Sequence, residues 1–110
     1  MITLSSPGKP APSRQRKATA MHTLHIVSKS PGHPRFLECL SMVDTNDVVL
    51  LTGNGVVALA DSSIEVPSPL YALEGDIQAR ALTPDSARCQ VIGFDDMVAL
   101  TIQSQRVISW

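Results

Sequence analysis

Residues 47–52 read Asp-Val-Val-Leu-Leu-Thr, with apolar side chains at every position from Val48 to Leu51. A strand with one wet face alternates apolar and polar residues. An unbroken apolar run is therefore expected of a strand covered on both sides. Such cover belongs to a parallel sheet, whose strands need crossover connections. The rest of the chain repeats the pattern. HTLHIV (22–27), PLYAL (69–73) and CQVIGF (89–94) read as strands, and RVISW (106–110) as a short last one. RFLECLSMV (35–43) sets Phe36, Leu37, Leu40 and Val43 on one helical face. EGDIQARAL (74–82) reads as a helix with Asp76 and Arg80 as a favourable i,i+4 pair. DDMVALTIQSQ (95–105) reads as a helix opened by carboxylates, which suit its exposed N–H groups. Strand and helix alternate, so the expected class is α/β: a small parallel sheet of four to five strands with helices on both faces.

The stretch after the second strand has two readings. Asn54-Gly55 between apolar runs is a hairpin signal, pairing 48–52 with 56–60. Alternatively, a short helix starts at Gly55 and carries Val56–Ala60. Spacing does not choose between them.

The chain has 110 residues, 44% of them hydrophobic, and a net charge of -1. That length suits one domain, and the apolar fraction excludes a wholly disordered chain. Charge is uneven. Residues 1–20 hold Lys9, Arg14, Arg16 and Lys17 and no acid, whereas all ten acids lie in 21–110. The segment 1–20, with three prolines and no apolar periodicity, is expected to be a disordered basic tail. Its composition is that of a transit peptide or of a segment touching an anionic partner. The plain alternative is an upstream extension of a domain starting at Met21. No apolar stretch in it resembles a signal peptide. The most apolar run, 48–60, is too short and too interrupted to span a membrane. An overall charge near neutrality makes no case for nucleic-acid binding. A domain of about 90 residues with a thin helical cover leaves apolar surface exposed, which points to an oligomer subunit.

Few residues offer chemistry. Cys39 and Cys89 lie fifty positions apart with no C-x-x-C, so neither a zinc ribbon nor a thioredoxin-type site is present. Two unpaired cysteines suit a reducing cytosol. Cys39 sits mid-helix beside Glu38, which opposes a stabilised thiolate. Its plain reading is a buried or half-buried structural residue, and Cys89 reads the same way. His33, in the loop before that helix, would lower the Cys39 pKa only by approaching it. His22 and His25 are an odd number of residues apart on a strand, hence on opposite faces and not a metal pair. Gly53-Asn54-Gly55 is too short for a dinucleotide fingerprint. Asp95-Asp96 reads as a helix cap, and no serine stands near a His/Asp set.

The motifs nevertheless form an ordered set. His22-Thr23-Leu24 is followed by Ser30-Pro31. A leucine-rich strand runs into Leu50-Leu51-Thr52-Gly53-Asn54-Gly55-Val56. Tyr71, Ala72, Leu73, Asp76, Ile77, Ala79, Arg80 and Leu82 match Y-A-L-x-x-D-I-x-A-R-G-L, with Ala81 in place of the glycine. Asp96, Met97, Val98, Leu100 and Thr101 resemble D-F-V-x-L-T, and Trp110 stands last. In these features residues 21–110 resemble the TusB/DsrH family of sulfur-relay subunits. Asn54 replaces the usual aspartate.

The resemblance implies a DsrEFH-like, flavodoxin-like three-layer α/β fold, with a helix opening in the G-V-x-A stretch. It implies a non-catalytic, cytoplasmic subunit of a sulfurtransferase complex. Two sister DsrE-like subunits, TusC- and TusD-like, would complete a heterohexamer. A TusA-like donor and a TusE-like acceptor would act indirectly. The complex would pass persulfide sulfur for 2-thiolation of the tRNA wobble uridine. No cofactor, metal, membrane or direct nucleic-acid contact is implied. In the DsrH branch a first-helix cysteine stands where Cys39 does, so the alternative is a persulfide carrier in sulfur oxidation that uses Cys39. A further alternative, from the fold class, is a small-ligand module at the carboxyl ends of the strands, near 28–34, 52–55 and 74–76.

Overall fold

The computed structural model describes residues 21–67 and 69–110; the expected disorder of 1–20 lies outside them. Five strands form one parallel sheet: β1 (Met21–Val27), β2 (Val48–Leu51), β3 (Leu70–Leu73), β4 (Gln90–Ile92) and β5 (Ser104–Ser109). Their order is β4-β3-β2-β1-β5. In register, β1 sets Leu24 beside Val48 and Val27 beside Leu51, and β5 sets Val107 beside Leu24. The central strand is β2, and all four of its residues are buried, as its unbroken apolar run requires.

Side chains leave each strand alternately to the two faces. Val27, Val49, Leu51, Leu70 and Ala72 enter one cluster. It is covered by α1 (Pro34–Met42), by a 3-10 helix, α2 (Gly53–Ala60), and by α3 (Glu74–Ala79). Leu24, Val48, Leu50 and Ile92 enter the other. Among the described residues, only Met97 and Leu100 of α4 (Phe94–Gln103) cover that side from a helix. The cover is therefore three elements against one.

The structure resolves the open segment after β2 as a helix: β2 pairs with β1 and β3, and α2 follows it without a hairpin. Two glycines permit this. Gly53 adopts φ +50, and a Cβ on Gly55 would collide with the Val27 carbonyl oxygen. Arg88 closes the far end, donating to the Ala58, Leu59 and Ile64 carbonyls. A guanidinium suits the carbonyl-rich C-terminus of a helix.

Element ends differ from the sequence reading where local chemistry intervenes. α1 starts at Pro34 because His33 caps it, its Nδ1 accepting the Arg35 N–H at 3.0 Å. Leu37, assigned to the apolar face, is exposed, because the buried face centres on Phe36 and Cys39. Phe94 opens α4 instead of ending β4. Asp96 reaches back to the Gly93 N–H at 3.4 Å, the capping role expected of the carboxylate pair. α4 ends at Gln103, so β5 begins at Ser104.

α3 stops at Ala79. The Leu82 N–H bonds the Ile77 carbonyl at 3.1 Å and the Ala81 N–H bonds that of Gln78 at 3.1 Å, the two bonds of a Schellman cap. Such a cap places one residue in the left-handed region, and that residue is Ala81, at φ 52. This is the position where the related motif carries glycine. Ala81→Gly is expected to raise stability by about 1 kcal/mol, because the Cβ strain of an L-residue there is removed. Thermal and denaturant melts of the two proteins check it.

Candidate functional site

The polar residues buried in the sheet gather around one side chain that the sequence reading left without partners. His25 leaves β1 on the face covered by α1 and is almost fully buried; His22 is exposed. The two lie on opposite faces, and no group of three or more His, Cys, Asp or Glu able to hold a metal occurs among the described residues. His25 Nε2 lies 2.9 Å from Asp47 Oδ2. Asp47 also accepts the Thr23 N–H at 3.2 Å and the Asp44 N–H at 2.9 Å. On the other side, the Trp110 indole N–H donates to His25 Nδ1 at 3.1 Å. An indole nitrogen only donates, so Nδ1 is bare and the ring proton sits on Nε2, facing Asp47. The indole stacks on the imidazole at 6.1 Å between centroids, and the Arg35 guanidinium lies 5.1 Å over the indole.

This chain ties three strands together. Trp110 closes β5 onto β1: its N–H bonds the Ile26 carbonyl at 2.8 Å, and its carbonyl accepts from Ser28. The strand order changes direction between β1 and β5, and open α/β sheets hold ligands outside the carboxyl ends at such a point. Here the Trp110 side chain packs there, against the cluster under α1. Asp47 was legible only as a strand-edge acid and Trp110 only as a motif residue. A lone acid leading into a leucine-rich strand was the signal that a buried donor awaited it.

The loops at the carboxyl ends of β2 and β3 are also linked. Asp76 accepts the Gly53 N–H at 2.8 Å, and Arg80 reaches the Asn54 side-chain oxygen at 2.9 Å while standing 3.8 Å from Asp76. The Asp76–Arg80 pair expected from spacing is present, with Asn54 as a neutral acceptor. These groups are satisfied by one another and offer no phosphate cradle.

Cys39 is fully buried among the apolar residues under α1. Burial pushes its thiol up to about 11, from 9.0. His33 is occupied as the helix cap and does not offset this. Cys89, just ahead of β4, is also buried. Burial raises its pKa, and the Arg88 charge opposes the rise only in part. Neither sulfur is the exposed, cation-stabilised thiolate that sulfur chemistry uses.

A three-layer parallel α/β unit without an assembled catalytic constellation among its described residues is the class these observations define. The sequence matches the DsrH like protein family over residues 29–107, and the chain belongs to that family. It is 36% identical to Protein TusB of Enterobacter sp. (strain 638) over 94 residues, which cover 79% of this chain and 99% of that protein. It is 35% identical to Protein TusB of Serratia proteamaculans (strain 568), with the same coverage. The solution NMR structure of protein Tm0979 from Thermotoga maritima has the same fold. Its TM-score is 0.58 at 22% identity, covering 73% of this chain and 91% of that one. No helix among the described residues is long and apolar enough to cross a membrane.

Two measurements check the site. Burial pushes the Asp47 carboxyl up, but the hydrogen bonds from His25, Asp44 and Thr23 outweigh it, so its pKa lies below the ordinary 3.8. A depressed carboxylate contributes stability above its unfolded pKa and loses it as pH falls through the folded value. Asp47→Asn is expected to cost about 1–3 kcal/mol at neutral pH. Thermal melts from neutral pH to about pH 3 should show a smaller acid-induced loss in the variant than in the wild type. For the thiols, a disulfide reagent at neutral pH should leave native Cys39 unmodified. Full reaction is expected only on adding denaturant, because the thiolate is both scarce and inaccessible.

Proposed function

We propose that this chain is a structural, non-catalytic subunit of a sulfur-relay complex, in which two sister DsrE-like subunits assemble with it into a heterohexamer. The complex passes persulfide sulfur, through a TusA-like donor and a TusE-like acceptor, for 2-thiolation of the tRNA wobble uridine. The observation that carries this reading is membership of the DsrH family across most of the domain. The TusB relatives, matched over 99% of their own length, support it.

The state of Cys39 supports the structural role. Sulfur moves when an acceptor thiolate attacks the terminal sulfur of a donor persulfide and the donor cysteine leaves as a thiolate. No electrons are gained or lost overall. Each participating cysteine must be ionised and reachable. A buried Cys39 with a pKa of about 11 meets neither condition. A DsrH-type carrier role for Cys39 would require α1 to lift from the sheet. The Trp110 side chain at the strand-order reversal weighs against a small-ligand module.

Co-expression with the two sister subunits, followed by light scattering on a sizing column, tests the assembly. A single heteromeric peak is expected. This chain eluting by itself beside both sisters overturns the reading. Deletion of its gene is expected to deplete 2-thiouridine from tRNA. Unchanged thiolation together with lost sulfur oxidation would move the complex to the dissimilatory role.

A further inference from the structure

The neutral imidazole of His25 holds two partners of opposite kind. Its Nε2–H donates to Asp47 Oδ2 at 2.9 Å, and its bare Nδ1 accepts the Trp110 indole N–H at 3.1 Å. A second proton can enter only at Nδ1, because Nε2 already carries one. The imidazolium then has two donors and no acceptor. Its contact with Asp47 becomes a charge-assisted bond, which is the stronger kind. Its bond to Trp110 is lost, since an indole nitrogen also only donates and two N–H groups would meet head-on. The ring is 2% exposed, which leaves little room for water to mediate between the two donors.

The charges around the ring act in the same sense. Asp47, from the turn before β2, is the acid on the imidazole, and the Thr23 and Asp44 N–H groups hold it as a carboxylate. From α1, the Arg35 guanidinium lies 5.1 Å over the indole, with Glu38 3.5 Å from that guanidinium. Cys39, in the cluster against which Trp110 packs, keeps its proton and adds no charge. On β5, Arg106 reaches the Thr23 hydroxyl at 3.3 Å, on the face that His25 shares. An imidazolium is thus held from the Nε2 side by a carboxylate, while the bases stand towards the indole and β5. Trp110 in turn closes β5 onto β1 through the Ile26 carbonyl and fills the strand-order reversal.

We infer that His25 is a proton-operated latch: protonation of Nδ1 tightens its pair with Asp47 and ejects the Trp110 side chain, uncovering the sheet at the strand-order reversal. Trp110 is the only tryptophan in the chain, so its emission and its indole N–H resonance report the latch directly. The full chain is titrated from about pH 8 to about pH 5, where imidazoles change charge and the Asp47 carboxyl, with a pKa below 3.8, stays ionised. Far-ultraviolet circular dichroism should stay constant while the Trp110 emission moves to longer wavelength. Exchange of the indole N–H, relative to free indole at the same pH, should rise about tenfold, the value of one lost hydrogen bond. Both changes should track protonation of His25 Nδ1, read from its ring nitrogen shifts. His25→Gln, whose amide can donate and accept without titrating, should abolish them. His22→Gln/His33→Asn, in which asparagine still caps α1, should keep them. If His25→Gln fails to fold, the wild-type ring shifts and indole exchange decide alone. A ring that stays neutral throughout, or an indole unchanged while the ring protonates, overturns the latch. So does a transition that persists in His25→Gln, vanishes in His22→Gln/His33→Asn, or accompanies loss of the circular dichroism signal.

Discussion

The fold depends on the need to cover β2 on both faces. Val48, Val49, Leu50 and Leu51 are apolar and consecutive, so they leave the strand to opposite sides in turn, and each side needs its own layer. β1 and β3 supply the ladder on either edge, and the crossovers that keep them parallel supply the layers. The layers are unequal. α1, α2 and α3 seal one cluster around Phe36, Cys39 and Val56, while α4 alone spans the other. The strand order makes this outcome natural: three successive right-handed crossovers in one direction put α1, α2 and α3 on one face, and the reversal from β4 to β5 puts α4 on the other.

Beside the well-covered cluster, Asp47, His25 and Trp110 form an extended polar chain. Polar groups are costly in such a place unless every donor and acceptor is used. Here both ring nitrogens of His25 are engaged, and Asp47 accepts from three groups. The result joins β5, which arrives from the far end of the chain, to β1 and to the turn before β2. Arg35, lying over the indole, brings α1 into the same arrangement. The side chain at the strand-order reversal thus serves as a lock on the edge strand.

The same covering explains the cysteines. α1 must bury one face to seal the sheet, and Cys39 stands at the centre of that face beside Phe36. A small apolar side chain suits the position. The burial that makes it a good packing residue is also what holds its proton. The exposed apolar side chains of α4 and β5 lie on the opposite, more thinly covered layer.

Read as sequence, the chain already determined its class, the order of its elements and its family resemblance. Burial on two faces writes an unbroken apolar run, and crossovers write the helical spacing between such runs. The position of Ala81 in a glycine motif was visible too, though not its left-handed backbone. Tertiary structure alone decided the rest. It supplied the reason for the helix after β2, which spacing left open and the family resemblance implied: Gly53 and Gly55 pack against the end of β1, a contact between distant segments. It rotated the buried face of α1 from Leu37 to Cys39. It brought Asp47, His25 and Trp110 together across 22 and 85 residues. Local periodicity reports which side of an element is apolar. It does not report which residues from elsewhere in the chain will meet there.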